Sequence, residues 1–114
     1  MAQGFNILLE QAIDDVLSSL GEPVKNQLYI RLEEDFSLQR HQIASQIDQF
    51  SLFLFRTFGP SSILLQIKIM RKVNEKILKE TRGQFQPFVC FEDVSFVSYI
   101  NEMRNSFALT LPFP

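Results

Sequence analysis

Residues 43 to 78 constrain the fold more than any other stretch. Ile43, Ile47, Phe50, Leu54 and Phe58 recur at intervals of three and four, and Ile63, Ile67, Met70, Val73 and Ile77 do the same further on. Between the two series stands Phe58-Gly59-Pro60. Glycine accepts the left-handed backbone that closes a helix C-terminus, proline cannot continue that helix, and Ser61 or Ser62 can cap the next. The pattern predicts two amphipathic helices folded back on each other.

The chain in front of this hairpin supplies the helices it needs. Phe5, Leu8, Leu9, Ala12, Ile13, Val16, Leu17 and Leu20 trace one face of a helix over residues 5–20, with acids and serines opposite. Gly21 ends it, and Pro23, whose missing amide proton costs nothing in a first turn, opens a second helix over 23–36 with Val24, Leu28, Leu32 and Phe36 inward. Glu33, Glu34 and Asp35 oppose the dipole at its C-terminus, which predicts a weak end. Ser37 and Leu38 form a turn, after which the hairpin helices cover about 40–58 and 62–79. At 114 residues and 46% hydrophobic, the chain can bury a core without metals or disulfides.

Beyond Arg82-Gly83 the character changes, and six of the twelve phenylalanines fall in the remaining stretch. Phe88-Val89-Cys90-Phe91 is a short strand or packing segment. Val94, Val97, Ile100, Met103 and Phe107 then predict a fifth helix over 94–106, capped by Asp93 or Ser95, and residues 109–114 should be extended. The expected fold is an all-α bundle of four core helices, with residues 1–80 as the domain and 81–114 as a Phe-rich extension packed on it or on a partner protomer.

The hairpin carries more apolar groups than two buried stripes consume: Leu52, Phe53 and Phe55 on the first helix, and Leu64, Leu65 and Ile69 on the second. Such a surplus implies either cover by the C-terminal extension or a second protein surface. Leu52, Phe53, Phe55, Leu65, Ile69, Phe88 and Phe91 are therefore the interface candidates, and a homodimer is expected.

Charge is uneven along the chain. Residues 1–36 carry a net −5, residues 37–80 a net +4, and the tail −1, for a total of −2. Lys68, Arg71, Lys72, Lys76 and Lys79 fall along one side of the fourth helix, as a solvated face or as a site for phosphates or an acidic partner. The second helix, the turn at Phe36-Ser37-Leu38 and Arg40, His41, Gln42 and Gln46 also have a loose helix-turn-helix order, which makes a DNA-binding regulator the alternative function. The acids at 33–35 would repel a phosphate backbone there.

Little points to catalysis. One His41 and one Cys90 cannot assemble a usual zinc site, and Cys90 between Val89 and Phe91 has the setting of an inert core thiol. The paired acids lie on polar helix faces, and no glycine-rich phosphate loop occurs. No catalytic, metal or cofactor residue is expected, and the chain is not expected to be an enzyme. No run of about 18 uninterrupted apolar residues and no secretory leader pattern stand in the sequence, so the expected compartment is the cytoplasm, with no membrane partner.

The stretch LLEQAIDDVLSSLGEPVK at residues 8–25, followed by Leu28-Tyr29, Leu32-Glu33, Ile47-Asp48-Gln49-Phe50, Phe58-Gly59 and Ile67-Lys68-Ile69-Met70, resembles the Nitrosopumilus-type output domain, a small archaeal helical domain. The resemblance covers residues 5 to 79. It implies a helical module associated with signal transduction and brings no catalytic or ligand residue with it. The chain departs from the family pattern at Ala44, where a proline often stands, and in a less glycine-rich turn after the third helix.

Overall fold

The computed structural model describes residues 4–80 and 95–110. Five α-helices carry the fold: α1 (Phe5–Ser18), α2 (Glu22–Phe36), α3 (Ile47–Phe58), α4 (Ser62–Glu80) and α5 (Phe96–Thr110). No strand occurs among the described residues. The all-α bundle expected from the periodicity is the fold observed, while Phe88, Cys90 and Phe91 lie outside the described residues.

α1 is the spine. Its apolar face is fully used, with Leu9, Ile13 and Leu17 almost wholly buried, and it packs against α2, α4 and α5. α3 in turn meets α2, α4 and α5. α1 to α4 thus form a ring in which α1 opposes α3, and α5 closes one side across α1, α3 and α4. The Phe5 and Phe107 rings meet at 6.1 Å, and the buried Tyr99 hydroxyl donates to the Met70 carbonyl at 3.4 Å. Ser95 is the cap of α5, its Oγ accepting from the Ser98 amide at 3.4 Å. Of the tail stripe, Ile100, Met103 and Phe107 are buried as expected and Val97 is partly so, while Leu109 and Thr110 extend α5 instead of starting an extended end.

Two turns depend on glycine. Gly21 at φ 102 precedes α2, and Gly59 at φ 60, ψ −143 separates α3 from α4 in a conformation that L side chains rarely adopt. At Gly59 the chain reverses, and the Gln66 amide of α4 donates to Ser51 Oγ of α3 at 3.3 Å. The hairpin therefore forms where the Phe58-Gly59-Pro60 signal placed it.

The third helix is shorter than expected. Residues 40–45 form a 3-10 turn, and α3 starts only at Ile47 after a non-helical Gln46 at φ −132, ψ 53. The cause is local polar competition for backbone groups. Gln39 N–H donates to the Gln42 side chain at 2.9 Å, and Ser45 Oγ donates to the Gln42 carbonyl at 3.0 Å. Ile43 and Ala44 are still buried, so this turn acts as a wedge against α1.

Three side chains expected on the hairpin surface belong to the core instead. Phe53 is sealed between Phe36, edge-on at 5.8 Å, and Phe50, stacked at 6.5 Å. Leu65 and Ile69 are buried because α4 packs through Ser62, Leu65, Ile69, Met70, Val73 and Ile77. That stripe is turned, over its first two turns, from the one through Ile63 and Ile67. Ile63 consequently faces solvent. In α2, Val24 is likewise exposed, and Lys25 holds the inward position beside it.

Candidate interaction surface

The surplus apolar surface that survives folding gathers at one end of the bundle. Leu52 and Phe55 lie one turn apart on α3, 41% and 56% exposed, and Ile63 and Leu64 in the first turn of α4 are 56% and 65% exposed. The Ser51–Gln66 hydrogen bond fixes the register of the antiparallel pair. From it, one turn along α3 reaches Phe55 and one turn back along α4 reaches Ile63, which places both on the same side of the hairpin's outer end. Beside them, α2 and α3 enclose an open groove of about 400 Å³ between Pro23, Val24, Leu28, Arg31, Thr57 and Phe58. Of the seven large hydrophobic side chains most exposed among the described residues, only Ile7 and Ile30 lie on other parts of the fold.

The hairpin is not one continuous apolar helix. The stretch Ile47–Glu80 contains a window apolar and long enough by composition to cross a bilayer, and 28% of that window is buried. Reversal at Gly59 divides it into helices of 12 and 19 residues. At 1.5 Å per residue α3 reaches about 18 Å, well short of a hydrocarbon core of about 30 Å.

The cations of α4 divide between structure and surface. Lys76 Nζ sits 3.0 Å from Asp15 of α1, and its side chain is largely covered, so it ties two helices together. Lys72 lies 3.9 Å from Glu75 one turn on. Lys68, Arg71 and Lys79 are exposed, and Leu64, Lys68, Arg71 and Lys72 follow one another along one face. From residue 49 to residue 74 the chain holds Arg56, Lys68, Arg71 and Lys72 and no acid.

The polar centre of the fold is Asp14 on α1. Its carboxylate accepts from the Tyr29 hydroxyl at 3.1 Å, stands 3.5 Å from Lys25 Nζ and is bound by the Arg40 guanidinium. Lys25, only 11% exposed in its side chain, also meets Glu22 at 3.1 Å, and Arg40 lies over the Tyr29 ring at 4.4 Å. Burial alone would raise the Asp14 pKa. The Tyr29 hydrogen bond and the Arg40 charge outweigh it and hold the group below 3.8. Burial first, and then the Asp14 charge, push Tyr29 up to about 12. These groups clamp α1, α2 and the 3-10 turn together.

This clamp bears on the helix-turn-helix order. Arg40 is engaged with Asp14 and Tyr29, while His41 and Gln42 sit on the 3-10 turn and Gln46 at the break after it, so the four do not form the start of one reading helix. Glu33, Glu34 and Asp35 are exposed just upstream. A second polar cleft, of about 330 Å³, lies where Gln46, Asp48 and Gln49 face Arg104 and Asn101. Arg104 is spent on the fold there: its Nη1 donates to Asn101 Oδ1 at 3.0 Å, its Nη2 to the Ala44 carbonyl, and its guanidinium covers the Phe5 ring at 5.4 Å. Among the described residues no three His, Cys, Asp or Glu side chains gather as a metal site.

Of the interface candidates read from sequence, the structure leaves Leu52 and Phe55 at the surface. It adds Leu64, which belonged to the surplus but not to the candidates, and Ile63 and Val24, which the periodicity placed inward. The spacing Leu65, Ile69, Val73, Ile77 was the available signal, since a second stripe phased on those residues turns Leu64 outward. Compared with protein-family models, with curated proteins and with solved structures, the chain matches none.

Proposed function

We propose that the chain is a non-enzymatic regulatory module of the cytoplasm that works by docking, through the outer end of the α3–α4 hairpin. The observation that carries this reading is the clustering of Leu52, Phe55, Ile63 and Leu64 in solvent at a single end of a bundle whose core is otherwise closed. Clustered apolar side chains of this kind mark interaction sites, whereas single ones do not. A role in signal transduction is the setting that the resemblance of residues 5–79 to the Nitrosopumilus-type output domain implies.

In solution the first occupant of this end is a second copy. Four exposed side chains are few beside the 20–30 residues a side of a stable interface, so the dimer is weak. Like charges on the two hairpins weaken it further at low salt. Light scattering over a concentration series should show a monomer that associates as concentration rises, and more so in high salt. Leu64→Ser, at a position 65% exposed, should abolish that association without altering helicity or melting. A wild-type chain that stays monomeric at every concentration and salt would overturn self-association.

A further inference from the structure

The hairpin end combines apolar area with charge of one sign, and that combination names an occupant more specific than a second copy. We infer that the outer end of the hairpin docks on an anionic lipid surface, with Phe55, Ile63 and Leu64 entering the acyl boundary and Lys68 and Lys72 meeting the headgroups. The inference rests on the proposal that this end is the docking surface, and deepens it by naming the partner.

Three observations favour lipid over protein. The first is the order of residues on α4: Leu64 is followed on the same face by Lys68 about 6 Å along the axis and by Lys72 about 12 Å along it, the succession an interfacial element needs. The second is sign. Residues 49–74 contain four cations and no acid, and Glu75 beside Lys72 lies just beyond them, so the face keeps a positive balance that opposes a second copy placed end to end and suits anionic headgroups. The nearby acids are largely answered within the fold: Glu75 stands 3.9 Å from Lys72 and Glu22 3.1 Å from Lys25, and Arg56 lies over Phe36 at the acidic end of α2. The third is extent. The exposed apolar groups are too few for a stable protein interface, yet a fluid surface asks for no shape complementarity, only for an apolar tip held clear of the fold.

The test is flotation of the full chain with phosphatidylcholine vesicles, with and without phosphatidylglycerol, at low and high salt. The expected result is binding to the anionic vesicles that falls as salt rises, opposite in sign to the salt effect on self-association. Lys68→Gln with Lys72→Gln should weaken it roughly thirty-fold, from about a five-fold step per cation. Phe55→Ser with Leu64→Ser should weaken it roughly a hundred-fold; Phe55, Leu64 and Lys68 lie in solvent and Lys72 is half-buried beside Glu75, outside the core, so both pairs leave the circular dichroism spectrum unchanged. Equal binding to neutral and anionic vesicles, binding indifferent to the apolar pair, or preference for duplex DNA over vesicles would each overturn the inference. Failure to float while Leu64→Ser still abolishes the dimer would overturn the lipid partner alone; loss of both effects would overturn the docking surface itself.

Discussion

Phe50→Ala should lower the free energy of unfolding by about 3–5 kcal/mol, a large part of the stability of a domain this size. Phe50 is fully buried and stacks on Phe53, whose ring meets Phe36 of α2, so Phe50 backs the contact between α3 and α2. Removing it leaves a cavity that rigid helices on all sides cannot close. Phe55→Ala makes the same chemical change five residues further on, at a position 56% exposed, and should cost less than about 0.5 kcal/mol. Urea unfolding followed by circular dichroism compares the two directly. Equal losses would mean that α3 is turned about its axis relative to the structure described.

The second large effect belongs to Asp14. Asp14→Ala should destabilise the bundle by about 2–3 kcal/mol near neutral pH, because it removes the acceptor of Tyr29 and leaves the mostly covered Lys25 with Glu22 alone. The effect should depend on pH in one direction. The folded pKa of Asp14 lies below its ordinary 3.8, so its contribution is fully present above that value and is lost as pH falls through the folded pKa. Wild type and variant should therefore differ throughout the neutral range and converge in acid below about pH 4. A difference that persists unchanged into strong acid would show that the carboxylate charge is not what the clamp uses.

Much of the architecture was legible because α1, α3 and α4 repeat apolar residues without interruption and the breaks at Gly21, Gly59 and Pro60 fall between them. The phase of α4 was not legible from the same information. Ile63, Leu64, Leu65, Ile67 and Ile69 surround the helix so completely that two stripes fit equally well, and only packing against α1 and α3 selects the one through Leu65 and Ile69. That choice also decides the surface. It takes Phe53, Leu65 and Ile69 into the core and leaves Ile63 and Leu64 outside.

Long-range polar pairs were the other hidden layer. Lys25 displaces Val24 from the inward position because Asp14, eleven residues earlier, waits on α1, and Lys76 leaves the cationic stripe to reach Asp15. No local periodicity reports such partners. The split of the third helix has a comparable origin in hydrogen bonds among Gln39, Gln42 and Ser45, residues that carry no strong helix-stop signal of their own.

The chain contains no tryptophan, so a single indole at position 55 reports on the hairpin end alone. In Phe55→Trp, emission characteristic of a water-exposed ring is expected for the dilute protein. It should shift to shorter wavelength when the protein is concentrated or given an anionic lipid surface. Emission that stays at the water-exposed wavelength under both conditions would contradict the assignment of this end as the place where the molecule meets its partners.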